Sequence, residues 1–236
     1  MQNVKNTMLD GLLSWLAPHP CISCGVIGAL LCDECKKYIV SRKPAHCLWC
    51  ERLSGVGLCS THAGIVDVFY WLGDRSGALR LLVDGPKLLA QREALVVAAR
   101  MLACAFPFPS DAVLVPLPTS RRHIRMRGFD HTESLAYHLS RIASVPRQSV
   151  LGRARHFVQK GAPRGTRAVQ VRDAFRVNAP LDPTHTYILV DDIVTTGASI
   201  YEAARCLRGA GAETIWAVCI ARQKLSTKPA QSVKIA

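Results

Sequence analysis

Four apolar runs punctuate the last two-thirds of the chain: AVLVPLP (112–118), QSVLG (148–152), YILVDDI (187–193) and TIWAVCIA (214–221). Each predicts a strand. All but the second are nearly continuous in apolar residues, the pattern of parallel strands covered on both faces. Between them, apolar residues recur at helical spacing. Leu88, Leu89, Leu95, Val96, Ala99 and Leu102 mark a helix within 87–106. Leu135, Ala136, Leu139 and Ile142 mark one over 131–143. Ile200, Ala203, Ala204 and Leu207 mark a third within 198–211, which Gly209 or Gly211 can end. Strands alternating with helices predict an α/β domain over residues 66–225. Residues 153–180 have weak periodicity, Gly and Pro breaks and many arginines. They predict a long mobile loop of the kind that serves as a lid or binding loop. Residues 1–65 are rich in Cys, Gly and turn formers and predict a separate small module. The tail 226–236 is expected to be disordered.

The length of 236 residues suits one ordinary domain plus a small module. Apolar content of 49% with 20% charged residues predicts a soluble globular protein. No uncharged apolar run reaches the ~18 residues of a membrane span. The opening MLDGLLSWLAPHP is interrupted by Asp10 and lacks a basic-then-apolar signal with a cleavage site. A cytoplasmic location is therefore expected.

Charge sharpens the picture. The net charge is +13, and the excess is concentrated: 13 Lys and Arg residues in 121–176 face only Asp130, Glu133 and Asp173. Arginine offers a planar fork of donors suited to phosphate oxygens. The partner expected is an anion: a phosphorylated small molecule, pyrophosphate or a nucleic-acid backbone. A solvated basic surface is the alternative.

Seven of the 10 cysteines lie within 21–59. Cys104, Cys206 and Cys219 are scattered through apolar segments and read as small core residues. The others form Cys21-x2-Cys24, Cys32-x2-Cys35, Cys47-x2-Cys50 and Cys59-x2-His62. Two intervening residues let a tight turn aim both side chains at one metal. Eight ligands suit two tetrahedral zinc sites, one of four cysteines and one of three cysteines and a histidine. Sequential pairing suits two successive ribbons, and an interleaved pairing remains open. A disulfide framework would leave one of the seven cysteines unpaired, and nothing suggests secretion. Redox chemistry at the paired thiols is a further alternative. Four protein ligands would close the zinc shell, so a structural or docking role is expected, with metal binding supplying the folding energy of a segment with little core.

The run YILVDDIVTTGASI (187–200) takes an apolar strand into Asp191 and Asp192, then into a turn before a helix starting near Ala198. Ligands of α/β sheets sit beyond the carboxyl ends of strands. A helix start supplies unpaired N–H groups and the positive end of the dipole. Thr195, Thr196 and Ser199 add hydroxyls, and Gly197 lets a ligand come close to the backbone. This makes a phosphate cradle, with two carboxylates nearby that can accept from a vicinal diol. The run therefore suits a sugar phosphate held at both ends. No P-loop or G-x-G-x-x-G is present. The plain alternative is a capped helix with solvent-facing acids.

This run resembles the phosphoribosyl pyrophosphate (PRPP) signature of type I phosphoribosyltransferases. Together with the cysteine array, VPLPTSRRHIRMRGFDHTESLA (115–136) and LGRARHFVQKG (151–161), the chain resembles the ComF family, which joins an N-terminal zinc module to such a domain. The resemblance implies a type I phosphoribosyltransferase-like parallel sheet flanked by helices, with a small N-terminal zinc-ribbon module. It implies that Asp191 and Asp192 hold the ribose hydroxyls and that Thr195, Thr196, Gly197, Ala198 and Ser199 hold the 5′-phosphate. Residues 115–127 would form the turn that meets pyrophosphate, with Arg121, Arg122, Arg125 and Arg127 as contacts. The loop at 153–176 would match the flexible hood, with Gln159, Lys160 and Arg172 as contacts.

The implied activity is Mg2+-dependent transfer of ribose phosphate from PRPP to an unidentified acceptor, in the glycosyltransferase class. Mg2+ would bridge pyrophosphate and ribose hydroxyls, the acids would stand near an oxocarbenium-like ribose, and the arginines would stabilise the leaving pyrophosphate. Loop closure would exclude water. The family is associated with competence and DNA uptake. The rival is therefore a non-enzymatic adaptor binding single-stranded DNA or a competence helicase. Residues 121–176 offer only Phe129, Tyr137, Phe157 and Phe175 for base stacking, which favours a small anion.

Overall fold

A computed structural model describes residues 20–41, 47–48, 50–55, 57–84, 88–121, 124–125, 128–154 and 174–224. In chain order the elements are α1 (Asp33–Ser41), β1 (Val68–Asp74), α2 (Gly77–Asp84), α3 (Leu88–Ala105), β2 (Ala112–Pro116), α4 (His131–Ala143), β3 (Leu151–Arg153), β4 (Phe175–Val177), β5 (Thr186–Val194), α5 (Ala198–Gly209) and β6 (Thr214–Arg222).

The main sheet has the order β1-β6-β5-β2, and every pairing is parallel. The run at 148–152 does not join it. The Leu114 N–H donates to Pro146 and the Gln148 N–H to Leu114, so this segment brushes the edge of β2. It then leaves to pair antiparallel with β4 in a two-stranded sheet. The strands β1 and β4 escape a reading of apolar runs because they are short or mix aromatic and polar residues. β5 continues to Val194, paired with Arg222, so Asp191 and Asp192 stand inside the strand rather than at its last residue.

Alternation along the strands divides the core between the two sheet faces. Leu72, Leu114, Ile188, Val190 and Val218 pack with Leu79, Leu95, Leu102, Leu135 and Leu139 on one face. Phe69, Val113, Leu189, Ala217 and Cys219 pack with Ile200, Ala204 and Leu207 on the other. The cysteine-rich segment contributes to both. Cys21, Leu30, Leu31 and Ile39 join the first cluster, whereas Cys47, Leu48 and Leu58 join the second. Burying each such large side chain stabilises the fold by roughly 1.5–3 kcal/mol. The two cysteine clusters thus flank opposite faces of one sheet.

The contact at Gly57 is close enough to exclude any side chain. Its φ is 76°, and a Cβ there would lie 1.8 Å from the Phe69 carbonyl oxygen. No helix among the described residues is long and apolar enough to cross a membrane.

Candidate functional site

The acid pair is held by its own backbone. Asp191 Oδ1 accepts from the Asp192 N–H at 2.9 Å, and Asp192 Oδ1 accepts from the Ile193 N–H at 2.8 Å. Asp192 lines a narrow crevice of about 10 Å³ with Leu82, Val83, Leu95, His131 and Ile220. The crevice therefore opens on the face covered by α2, α3 and α4. Burial, followed by the charge of Asp191, pushes the Cys219 thiol well up.

At the start of α5, Gly197 occupies the N-cap position with φ 73° and no side-chain cap, and the first turn contains no acidic residue. Tyr201 N–H donates to the Gly197 carbonyl at 2.9 Å, the first helical bond. Thr195, Thr196 and Ser199 are exposed, Ala198 is half-buried and Gly197 is buried. The Ala198 N–H reaches Thr196 Oγ1 only at 3.4 Å. α4 is built differently. There Asp130 caps the helix, accepting from the N–H groups of Thr132 and Glu133 at 3.1 and 3.3 Å. One helix start is closed by a carboxylate, and the other keeps its positive end facing outward, where an anion is favoured.

The arginine-rich turn begins beside the acids. Leu117 N–H donates to the Val190 carbonyl at 3.0 Å, so residue 118 leaves the sheet next to Asp191. Helical bonds from Ile124 to Ser120 and from Gly128 to Ile124 shape the turn, and Arg121 and Arg125 are exposed on it. Its far end is clamped at Asp130, whose Oδ1 accepts the Thr119 and Thr132 hydroxyls at 2.8 Å each. Arg122 and Arg127 lie outside the described residues, as do Gln159, Lys160 and Arg172 and the tail from 225.

Three residues of this region were not singled out for the site from sequence. Asp130 is the cap and clamp, and Asp-x-x beside a helical period is the signal that could have found it. His131 is buried against Asp192, which only the fold brings near. Arg153 lies over the Phe175 ring at 5.6 Å and reaches the Pro118 carbonyl at 3.5 Å, tying β3 to the arginine turn. Its burial pushes its pKa down.

The eight candidate ligand side chains gather in two groups, Cys21, Cys24, Cys32 and Cys35, and Cys47, Cys50, Cys59 and His62, each with donor atoms within 4.8 Å of one another. Pairing is sequential, not interleaved. Cys24 and Cys32 sulfurs are 3.6 Å apart, and Cys50 and Cys59 sulfurs 3.5 Å. His62 Nδ1 stands 3.4 Å from Cys47 Sγ and 3.3 Å from Cys59 Sγ. A tetrahedral zinc with bonds of about 2.3 Å to sulfur and 2.0 Å to nitrogen has edges of about 3.5–3.8 Å, so donor set and spacing could hold zinc. A repeated turn builds the knuckles: Gly25, Lys36, Glu51 and Ala63 donate N–H groups to the carbonyls of Cys21, Cys32, Cys47 and Cys59. Burial opposes ionisation of Cys21, but N–H donors from Cys32, Cys24 and Ser23 outweigh it and bring the thiol down to about 6. Such a thiolate is the form that binds metal.

A phosphoribosyl transferase domain family matches residues 130–235. DNA utilization protein YhgH of Salmonella typhi is 32% identical over 167 residues, covering 64% of this chain and 70% of that protein. Competence protein F of Haemophilus influenzae is 28% identical over 113 residues, covering 46% of this chain and 49% of that protein. Glutamine phosphoribosylpyrophosphate amidotransferase from B. subtilis aligns at TM-score 0.37 and 16% identity, over 78% of this chain and 30% of that longer one. With paired cysteine clusters ahead of a phosphoribosyltransferase-type parallel sheet, and with that degree of identity to YhgH, the chain belongs to the ComF family.

Proposed function

We propose that this protein binds PRPP with Mg2+ at the junction of β5 and α5 and is a phosphoribosyltransferase acting in competence or DNA utilization. The observation that carries the reading is the uncapped start of α5 at Gly197, placed directly after the acid pair. In this reading Thr195, Thr196, Gly197, Ala198 and Ser199 receive the 5′-phosphate, and Asp191 and Asp192 receive the ribose diol and its Mg2+. Arg121 and Arg125, with Arg122 and Arg127, meet the pyrophosphate. Gln159, Lys160 and Arg172 complete the closed site. Catalysis would come from fixed charges around a cationic ribose. Zn2+ in the two cysteine clusters would be structural, because each shell is already filled by four protein ligands. Residues 1–65 would act as the zinc-bearing unit and 66–225 as the transferase unit.

The test is calorimetric titration of PRPP with Mg2+ into the zinc-loaded protein and into Asp192→Asn. Saturable heat for the native chain, with affinity lowered at least tenfold in the variant, is expected. No heat in either, with the fold and zinc content intact, removes the reading.

A second reading rests on the names of the relatives and on the net charge of +13. It is an adaptor that binds single-stranded DNA or a competence helicase through the basic segment. Affinity for an oligonucleotide would then fall steeply with salt. A flat dependence at low salt excludes it.

A further inference from the structure

His131 is the first residue of α4, and its side chain is only 7% exposed. A buried imidazole at a helix start has to be held by something. The backbone is held by Asp130, which caps α4 and is itself locked by Thr119 and Thr132. The ring is held by Phe129, whose centroid is 4.4 Å away at 34°, with the Arg92 guanidinium over the other ring at 5.5 Å. Fixed in this way, His131 Nδ1 stands 3.8 Å from Asp192 Oδ2, within ion-pair range and beyond a direct hydrogen bond. The other oxygen of the same carboxylate accepts the Ile193 N–H. Asp192 is 13% exposed, so a contact to it is worth more than a surface contact would be.

The geometry points to His131 as a positioning residue for Asp192 in PRPP–Mg2+ binding, an inference that rests on the reading proposed above. The Ile193 N–H holds one oxygen and the buried imidazole faces the other, and together they limit the directions the carboxylate can present to the ribose diol. Because His131 follows the arginine turn and its clamp without a break, the same support registers the pyrophosphate side of the site against the ribose side.

The test uses the zinc-loaded full chain and PRPP with Mg2+. His131→Phe keeps the stacking on Phe129 and removes both ring nitrogens, whereas His131→Gln keeps a polar donor in a smaller side chain. Loss of this close polar neighbour of a largely buried carboxylate predicts roughly tenfold weaker binding for His131→Phe. His131→Gln is expected to regain most of it. In an Asp192→Asn background, His131→Phe should cause no further loss, because its effect passes through Asp192. A structural effect would lower the melting temperature of both variants and would not vanish in that background. Native binding with undiminished affinity in His131→Phe, or losses that multiply with Asp192→Asn, overturns this inference and leaves the PRPP reading standing. Absence of binding by the native chain overturns both.

Discussion

Arg222, the last residue of β6, donates to the carbonyl of Leu48, between Cys47 and Cys50 of the second cysteine cluster, at 3.2 Å. The same guanidinium donates to Asp74 at 2.9 Å and Glu51 at 3.0 Å and lies over the Trp71 ring at 5.6 Å. Its partner across the sheet is Val194, the residue before the threonine loop. One buried side chain thus joins a cysteine knuckle, the end of β1 and the strand pair that carries the acids. Arg222→Met removes these bonds and strands a carbonyl, so a loss of about 3 kcal/mol is expected. Chemical denaturation of the zinc-loaded protein measures it.

Gly57→Ala tests the packing of the second cysteine cluster against β1. The added Cβ would meet the Phe69 carbonyl, and φ of 76° is strained for alanine. The segment between Cys50 and Cys59 must move away, and Cys59 and His62 with it. Elemental analysis is expected to fall from two metal ions per chain to one, with the Cys21, Cys24, Cys32 and Cys35 cluster retained.

Metal removal should be felt beyond the cysteine clusters. Residues of both clusters share the two cores of the α/β sheet. Chelation is expected to lower the melting temperature of the whole chain in one transition. A calorimetric scan showing an unshifted α/β transition after zinc loss would contradict this.

Gly197→Ala tests the cradle. Alanine at φ 73° costs about 1 kcal/mol or more and brings a methyl to the place where a phosphate would approach. PRPP affinity should fall at least tenfold while zinc content stays unchanged. Calorimetry and elemental analysis separate the two effects.

Asp111 supplies a pH marker of the sheet. The Thr186 hydroxyl, donating at 2.7 Å, holds the Asp111 carboxyl below its ordinary value. A depressed folded pKa contributes stability that is full above the unfolded value and is lost as pH falls through the folded one. Thr186→Val should raise the Asp111 pKa toward the ordinary carboxylate range and shrink the loss of stability below pH ~4. NMR titration of the side-chain carboxyl reads the shift.

Much of this protein is written locally. Continuous apolar runs mark β2, β5 and β6, and the helical spacing of Leu135, Ala136 and Leu139 marks α4, because burial on one or two faces imposes those periods directly. The Cx2C spacing declares clusters that could hold metal, and the sequence Asp-Asp-Ile-Val-Thr-Thr-Gly declares a strand followed by a turn into a helix. What the linear order cannot carry is which distant pieces meet. Sequential pairing of the knuckles, their placement on opposite sheet faces, the departure of residues 148–152 to pair with β4, and the approach of His131 to Asp192 all depend on long-range packing. The bond from Arg222 to Leu48 crosses 174 residues, and only burial of both in one core gives either a reason to be there.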